Sequence, residues 1–165
     1  MRRLPELRTF PDPLLRKSSQ PVVVGDPTIK QLIELLNETL ATQRGGIGIA
    51  APQLGILKQV ALVDVRGSVP GAKKLVLINP VIQSASEPRV LREGCMSIPD
   101  YTANVKRANR IRVLCHNEEF HRQEVLSTGI EAICIQHEID HLNGMLFLDR
   151  VYCLNTDVFR RKKYL

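Results

Sequence analysis

Residues 128–144 read TGIEAICIQHEIDHLNG, and this stretch predicts a helix that is buried on two sides. One helical face carries side chains at steps of three and four residues: Ile130, Ile133, Cys134, His137 and His141. A second face carries Ala132, Ile135, Ile139 and Leu142. A helix with two apolar faces packs against protein on both sides. We therefore expect a fold built around this helix, with Gly144 as its C-terminal stop.

The same stretch contains the motif H-E-x-x-H, formed by His137, Glu138 and His141. Two histidines four residues apart on a helix can bind one metal ion, and a glutamate beside the first can transfer protons there. Two core histidines that bond to other groups are the alternative, but the spacing and the adjacent glutamate favour a metal site. A catalytic metal usually has a third protein ligand and an open position for water.

The residues after His141 do not complete the site of the common H-E-x-x-H peptidases. Those enzymes take a third ligand downstream, as a glutamate or a third histidine, and Phe147 stands at that histidine's position. No histidine and no glutamate follows His141, and the other candidates there are Asp149, Cys153 and Asp157. A metallopeptidase that cleaves internal peptide bonds is therefore the weaker interpretation.

Cysteines upstream offer a different third ligand. Cys95, in REGCMSIP (92–99), would complete a Cys-His-His set, because a thiolate is a strong and soft ligand. Cys134 is also a candidate, but it lies one turn before His137 on the same helix and would surround the ion poorly. Cys115 lies in a strand pattern that is typical of the core.

The glycine-containing stretch GGIGIAAPQLG (45–55) is a second candidate for site chemistry. Gly46 and Gly48 would let the backbone approach a ligand closely, and the Gln53 amide could donate a hydrogen bond to a developing oxyanion. Gly-x-Gly alone also fits a bent strand at a helix–strand junction. It is not a phosphate-binding loop, because no G-K-S/T follows it.

The rest of the chain predicts an α+β protein with a mostly antiparallel sheet. GDPTIKQLIELLNETLATQRGG (25–46) predicts a helix capped by Asp26, which Gly45 and Gly46 end. Strand patterns occupy 58–65, 73–82, 109–116 and 119–127, with a hairpin loop at HNEE (116–119). No linker interrupts the chain, so we expect residues 1–165 to form one compact catalytic domain.

Composition restricts the setting in which the protein works. The hydrophobic fraction of 44% and the charged fraction of 24% are ordinary for a globular protein. No apolar run approaches the roughly 18 residues of a membrane span, and the first residues do not read as a signal peptide. We therefore expect a cytoplasmic protein whose four cysteines are thiols. The net charge of +6 and the tail FRRKKYL (159–165) indicate either a solvated tail or a contact with RNA.

Three stretches in this order, GIGIAAPQ (46–53), EGCMS (93–97) and QHEIDHLNG (136–144), closely resemble the three signature motifs of bacterial peptide deformylases. The resemblance extends over nearly the whole chain. It implies a compact α+β fold in which antiparallel sheets pack around the helix of the third motif. It also implies an enzyme that removes the N-formyl group from the initiator methionine of nascent polypeptides and releases formate.

The resemblance further implies the role of each site residue. Cys95, His137 and His141 are the implied metal ligands, and Glu138 is the implied catalytic acid and base. The Gln53 side chain and the Met96 backbone N–H are the implied oxyanion donors. The family typically uses Fe²⁺ and tolerates Ni²⁺, Co²⁺ or Zn²⁺, with one divalent metal ion per chain.

The same stretches supply candidates for binding the peptide. Apolar side chains could line a pocket for the methionine side chain, with core packing as the alternative: Ile47, Leu91, Met96, Ile133 and Cys134. The backbone of Ile47, Gly48 and Gly94 could pair with the substrate as an added strand. Such pairing reads main chain rather than side chains and suits an enzyme that acts on many nascent peptides.

Two departures from the family pattern and one expected contact complete the prediction. Met96 stands where leucine is commoner in the family. This difference leaves the implied role of its backbone N–H unchanged. The tail is short where many relatives end in a longer basic helix, so we expect at most a weak ribosome contact from a monomer. Glu93 and Arg107 are expected to form an ion pair that steadies the Cys95 segment, with a surface pair as the alternative.

Overall fold

The computed structural model describes residues 4–161, and within this range the chain forms one six-stranded sheet and three α-helices. The strands are β1 (Gly48–Ala50), β2 (Val60–Val63), β3 (Leu75–Cys95), β4 (Ile98–His116), β5 (Arg122–Thr128) and β6 (Val158–Arg160). The helices are α1 (Thr28–Thr42), α2 (Gly129–Leu142) and α3 (Leu154–Asp157). Short 3₁₀ helices lie at Pro13–Arg16, Ala51–Leu54 and Phe147–Arg150.

The sheet follows the chain order β1-β2-β3-β4-β5, and every pair of neighbouring strands is antiparallel. The sixth strand, β6, also pairs antiparallel, with the beginning of β4. Antiparallel neighbours need only short hairpins, and the loop between β4 and β5 lies where HNEE predicts it. The predicted α+β class and antiparallel sheet are confirmed.

Strands β3 and β4 are much longer than the sequence predicts. The patterns at 73–82 and 109–116 mark only their inner halves, because β3 continues to Cys95 and β4 already begins at Ile98. Residues 83–90 of β3 are exposed throughout, so no buried face leaves an apolar alternation there. Cys95 is the last residue of β3 and pairs with Ile98 at the start of β4.

Helix α2 lies inside the molecule, as its two apolar faces predict. It contacts β1, β2, β4 and β5, and all its residues from Ala132 onward are buried except His137, which is half-buried. The Gln136 side chain holds it to β4, accepting from the Ala108 N–H at 3.1 Å and donating to the Ala108 carbonyl at 2.8 Å. These contacts set the depth of α2 relative to the sheet.

Gly144 follows α2 and has the left-handed backbone that the C-terminal stop requires, with φ of +71°. A Cβ at this position would lie 2.6 Å from the Arg16 carbonyl oxygen, so only glycine fits. Helix α1 ends before Gly45 and Gly46 as predicted, and the Asp26 carboxylate accepts from the Thr28 N–H at its start at 2.9 Å. Within residues 4–161, no helix is both long enough and apolar enough to cross a membrane.

Candidate active site

The end of β3 and the middle of α2 bring together three side chains that could bind a metal ion. The ligand atoms of Cys95, His137 and His141 all lie within 4.8 Å of one another, and Cys95 Sγ is 3.2 Å from His141 Nε2. Metal bonds of about 2.3 Å to sulfur and 2.0 Å to nitrogen put neighbouring donors roughly 3.5 Å apart in a tetrahedral site. The separations therefore fit one divalent ion, and a thiolate with two imidazoles suits a transition metal.

The pKa values of the Cys95 and Cys134 thiols are shifted in opposite directions. Burial alone would raise the pKa of Cys95, but the imidazoles of His141 and His137 hold that pKa well below its usual value. Burial raises the pKa of Cys134 well above its usual value, and nearby carboxylates add to this effect. Cys95 is therefore the thiolate that can bind a metal, whereas Cys134 keeps its proton and donates to the Ile47 carbonyl at 3.4 Å.

Behind the cluster, a buried carboxylate orients one of the imidazoles. His137 Nδ1 lies 3.0 Å from Glu93 Oε2, which leaves Nε2 of the same ring for a metal. Arg107 donates to both Glu93 oxygens, at 2.7 and 3.1 Å. Burial would raise the Glu93 pKa, but these bonds from His137 and Arg107 lower it to about 2. The predicted Glu93–Arg107 pair is confirmed, and it is buried rather than on the surface.

Arg107 has a second acidic partner that was not predicted from the sequence. Asp140, on α2, accepts from Arg107 Nη1 at 2.6 Å and from Arg150 at 2.8 and 2.6 Å. Asp140 is 3% exposed, and its ion-pair partners are these two arginines. An acidic residue among the buried positions of an apolar helix is the signal that points to such a partner.

Glu138 lies against the glycine-containing stretch on the pocket side of α2. Its Oε2 is buried and has no hydrogen-bond partner among residues 4–161, and burial raises its pKa to about 7. A Cβ at Gly48 would lie 2.5 Å from Glu138 Oε1 and 2.6 Å from Cys134 Sγ. Gly48 therefore gives the carboxyl room to face the pocket, and this carboxyl can exchange a proton near neutral pH.

Gln53 is held so that its amide nitrogen faces Cys95. Its Oε1 accepts from the Ala50 N–H at 2.9 Å, and its Nε2 donates to Ser97 Oγ at 3.0 Å. The same nitrogen lies 3.8 Å from Cys95 Sγ. Because the oxygen is already bound to the backbone, the amide cannot flip without losing a buried hydrogen bond.

These side chains open onto one pocket of about 300 Å³. Of the predicted site residues, only His141 is absent from its wall; the lining ones are Ile47, Gly48, Gln53, Leu91, Gly94, Cys95, Met96, Ile133, Cys134, His137 and Glu138. The wall also contains residues that were not predicted to belong to a site, among them Arg44, Arg92, Ile130 and Arg161. Ile130 shares the helical face of His137, so its position follows from the same periodicity. The roles of the lining residues stay predictions.

Comparison with known proteins agrees with this geometry. The polypeptide deformylase family profile matches residues 4–156. A peptide deformylase of Bartonella tribocorum is 43% identical over 159 residues, which cover 94% of this chain and 89% of that protein. The crystal structure of a peptide deformylase from Legionella pneumophila superposes with a TM-score of 0.85 at 34% identity, covering 92% of this chain and 88% of that one.

Another similar structure contains a bound peptide. A class I type b peptide deformylase from Acinetobacter baumannii, crystallised with Met-Ala-Ser, has a TM-score of 0.83 at 32% identity. The match covers 92% of this chain and 100% of that one. With the family profile, the sequence identity and the fold in agreement over nearly the whole length, the chain belongs to the polypeptide deformylase family.

Proposed function

We propose that this chain removes the N-formyl group from the initiator formyl-methionine of nascent polypeptides and releases formate. The observation that carries the proposal is the Glu138 carboxyl, whose buried Oε2 lacks a partner among residues 4–161. It lies on α2 beside His137, one of three clustered metal-binding side chains. A hydrolase needs this combination, because an acid–base group must act where the water and the leaving amine meet.

In the proposed reaction, Glu138 moves the proton. A bound divalent metal would act as a Lewis acid that makes a water nucleophilic near neutral pH. Glu138 accepts the proton of the water that attacks the formyl carbon. It then passes this proton to the leaving amine as the C–N bond breaks, giving formate and a free amino terminus. A pKa of about 7 suits both steps at neutral pH.

The oxyanion formed by this attack is assigned to the Gln53 amide and the Met96 N–H. Gln53 supports the assignment because its Nε2 lies toward Cys95 and is fixed there by the Ala50 N–H. Met96 follows Cys95 directly in the tight connection between β3 and β4. Each such donor typically lowers the barrier by about 3 kcal/mol.

The methionine side chain is proposed to enter the pocket against Ile47, Leu91, Met96, Ile133 and Cys134, all of which line it. The peptide backbone would then add as a strand beside Gly48 and Gly94. The Ile47 carbonyl already accepts from the Asp64 N–H at 2.7 Å and from the Cys134 thiol, so the proposed pairing uses the Ile47 N–H. Met-Ala-Ser in the Acinetobacter baumannii relative supports peptide binding in this family.

We infer that one metal ion binds each chain, with Fe²⁺ as the ion in the cell and Zn²⁺, Ni²⁺ or Co²⁺ as substitutes. The ligand set supports several of these ions, so availability decides which one is bound. The setting that fits this substrate is the cytoplasm, with residues 1–165 acting as one catalytic domain and as a monomer.

The test of the proposed function pairs metal analysis with formate release from formyl-Met-Ala-Ser, on protein purified without oxygen. We expect one metal ion per chain and formate release that a chelator abolishes and added Fe²⁺ or Ni²⁺ restores. Metal without formate, together with hydrolysis of casein, would instead favour a peptidase that cleaves internal bonds.

A weak contact with ribosomal RNA through the basic tail is a separate proposal. Lys162 and Lys163 lie outside the described residues, and Arg160 is exposed on β6. Changing these three residues to glutamine should reduce the salt-sensitive cosedimentation of the protein with ribosomes, because each lost phosphate contact weakens binding. A control with three other exposed lysines neutralised keeps the net charge equal: Lys30, Lys73 and Lys106. Equal cosedimentation of the two variants would contradict the proposal.

A further inference from the structure

The C-terminal strand brings the chain's last described residue to the wall of the pocket. In β6, Phe159 pairs with Thr102 of β4, and Thr102 pairs on its other side with Gly94 of β3. The Arg161 N–H donates to the Asp100 carbonyl at 2.8 Å, so the backbone remains attached to β4 just after β6 ends. The Arg161 side chain can therefore reach across β4 to β3, and it lines the pocket.

Gly94 gives this side chain its room. An Arg161 guanidinium nitrogen lies so close to Gly94 that a Cβ at that position would overlap it. Thr102 borders the same space at 3.4 Å. Gly94 directly precedes Cys95, so the guanidinium lies on the backbone one residue before the metal-binding cluster. The proposed metal ligands do not require a positively charged side chain at this position.

Two more arginines line the pocket wall with Arg161, and we name the three the arginine rim: Arg44, Arg92 and Arg161. Arg92 is held in place, with its guanidinium carbon 3.4 Å above the Phe159 ring and its Nε donating to Asn104 at 3.0 Å. Neither Arg44 nor Arg161 forms an ion pair with another of residues 4–161. The rim therefore has positive charge to offer a ligand.

The acidic residues in the pocket wall do not neutralise the rim. Glu93 is buried and bound to Arg107 and His137. Glu138 lies against Gly48 and is assigned to proton transfer in the proposed reaction. A carboxylate that enters with the substrate is the group that a planar guanidinium binds best, through two parallel hydrogen bonds.

We propose that Arg161 is a specificity-determining residue that favours formyl-methionyl peptides with an acidic side chain at one of the two positions after the methionine. This inference rests on the proposed function. A peptide strand advances about 3.3 Å per residue, and Arg161 lies over the residue that precedes Cys95. With the formyl group at the cluster, the residues just after methionine are the ones that pass beneath this guanidinium. Arg161 thus belongs to the substrate site.

The test compares matched peptides that differ by one charge. The pairs are formyl-Met-Asp-Ala-amide with formyl-Met-Asn-Ala-amide, and formyl-Met-Ala-Asp-amide with formyl-Met-Ala-Asn-amide. For the wild type at low salt, we expect kcat/KM to be about three- to fivefold higher for the Asp peptide in at least one pair. Arg161→Gln should bring this ratio to about one, Arg161→Glu should invert it, and Arg161→Lys should retain part of it.

Arg160→Gln is the control, because it removes the same charge from the neighbouring exposed residue of β6, which is not part of the pocket wall. It should keep the wild-type ratio. A wild-type ratio near one in both pairs, or a ratio that survives in Arg161→Gln, would overturn the inference while leaving formate release intact. Absence of formate from all four peptides would instead overturn the proposed function.

Discussion

Replacing Glu138 by glutamine should lower kcat/KM for formate release about a thousandfold while the protein keeps its metal. Glutamine has the same shape but can neither accept the proton of water nor return it to the amine. The change adds no heavy atom to the close contact with Gly48, and a neutral amide costs less to bury than a carboxylate. The free energy of unfolding should therefore not fall, so lost activity would report chemistry rather than folding.

The measurement combines steady-state formate release, metal content and a denaturant melt on the same preparation. Glu131→Gln is the matched control, since Glu131 is on the same helix and bonds to Ser127 Oγ at 2.8 Å, away from the pocket. The control should retain wild-type turnover. If Glu138→Gln kept activity within a few-fold of the wild type, the assigned role of Glu138 in proton transfer would be wrong.

The parts of the fold that the sequence predicts are those with a buried face. Helix α2 carries periodic apolar residues, whereas β2 and the inner part of β3 are consecutive apolar runs, and all three were predicted close to their observed positions. The outer part of β3 lacks such a face, because residues 83–90 are exposed. In β4 the buried alternation runs through Ala103, Val105 and Arg107. An arginine at a buried position interrupts the apolar–polar alternation that predicts a strand. Its burial requires ion-pair partners that lie on other segments of the chain.

The residues of the candidate site also fall into those that a local sequence pattern predicts and those that it does not. Spacing on one helix predicts the two histidines and Glu138, and the motif order of the family predicts Cys95 and Gln53. Contacts between distant segments leave no local pattern. Arg161 reaches Gly94 only because β6 pairs with β4, and Asp140 meets Arg107 only because α2 packs against the same strand. Such contacts need the three-dimensional structure.

Replacing Arg107 by methionine should lower the free energy of unfolding by about 3 kcal/mol, the largest effect on stability that we expect from one substitution. Arg107 is 3% exposed and binds two carboxylates, those of Glu93 and Asp140. Methionine fills similar space but leaves Glu93 with His137 alone and Asp140 with Arg150 alone. These remaining partners put the expected loss at the lower end of the range for a broken buried pair.

Arg110→Met separates this effect from the loss of any arginine on β4. Arg110 is on the same strand and pairs with Glu87 at 3.0 Å, but both side chains are more than half exposed. Its replacement should change stability by less than about 0.5 kcal/mol, because exposed ion pairs contribute little. Denaturant melts of the metal-free proteins would measure both values. Equal melts for the two variants would mean that the buried arginine is not what holds the Cys95 strand to α2.

Arg107→Met should also weaken metal binding about tenfold or more, because Glu93 would no longer be held against His137.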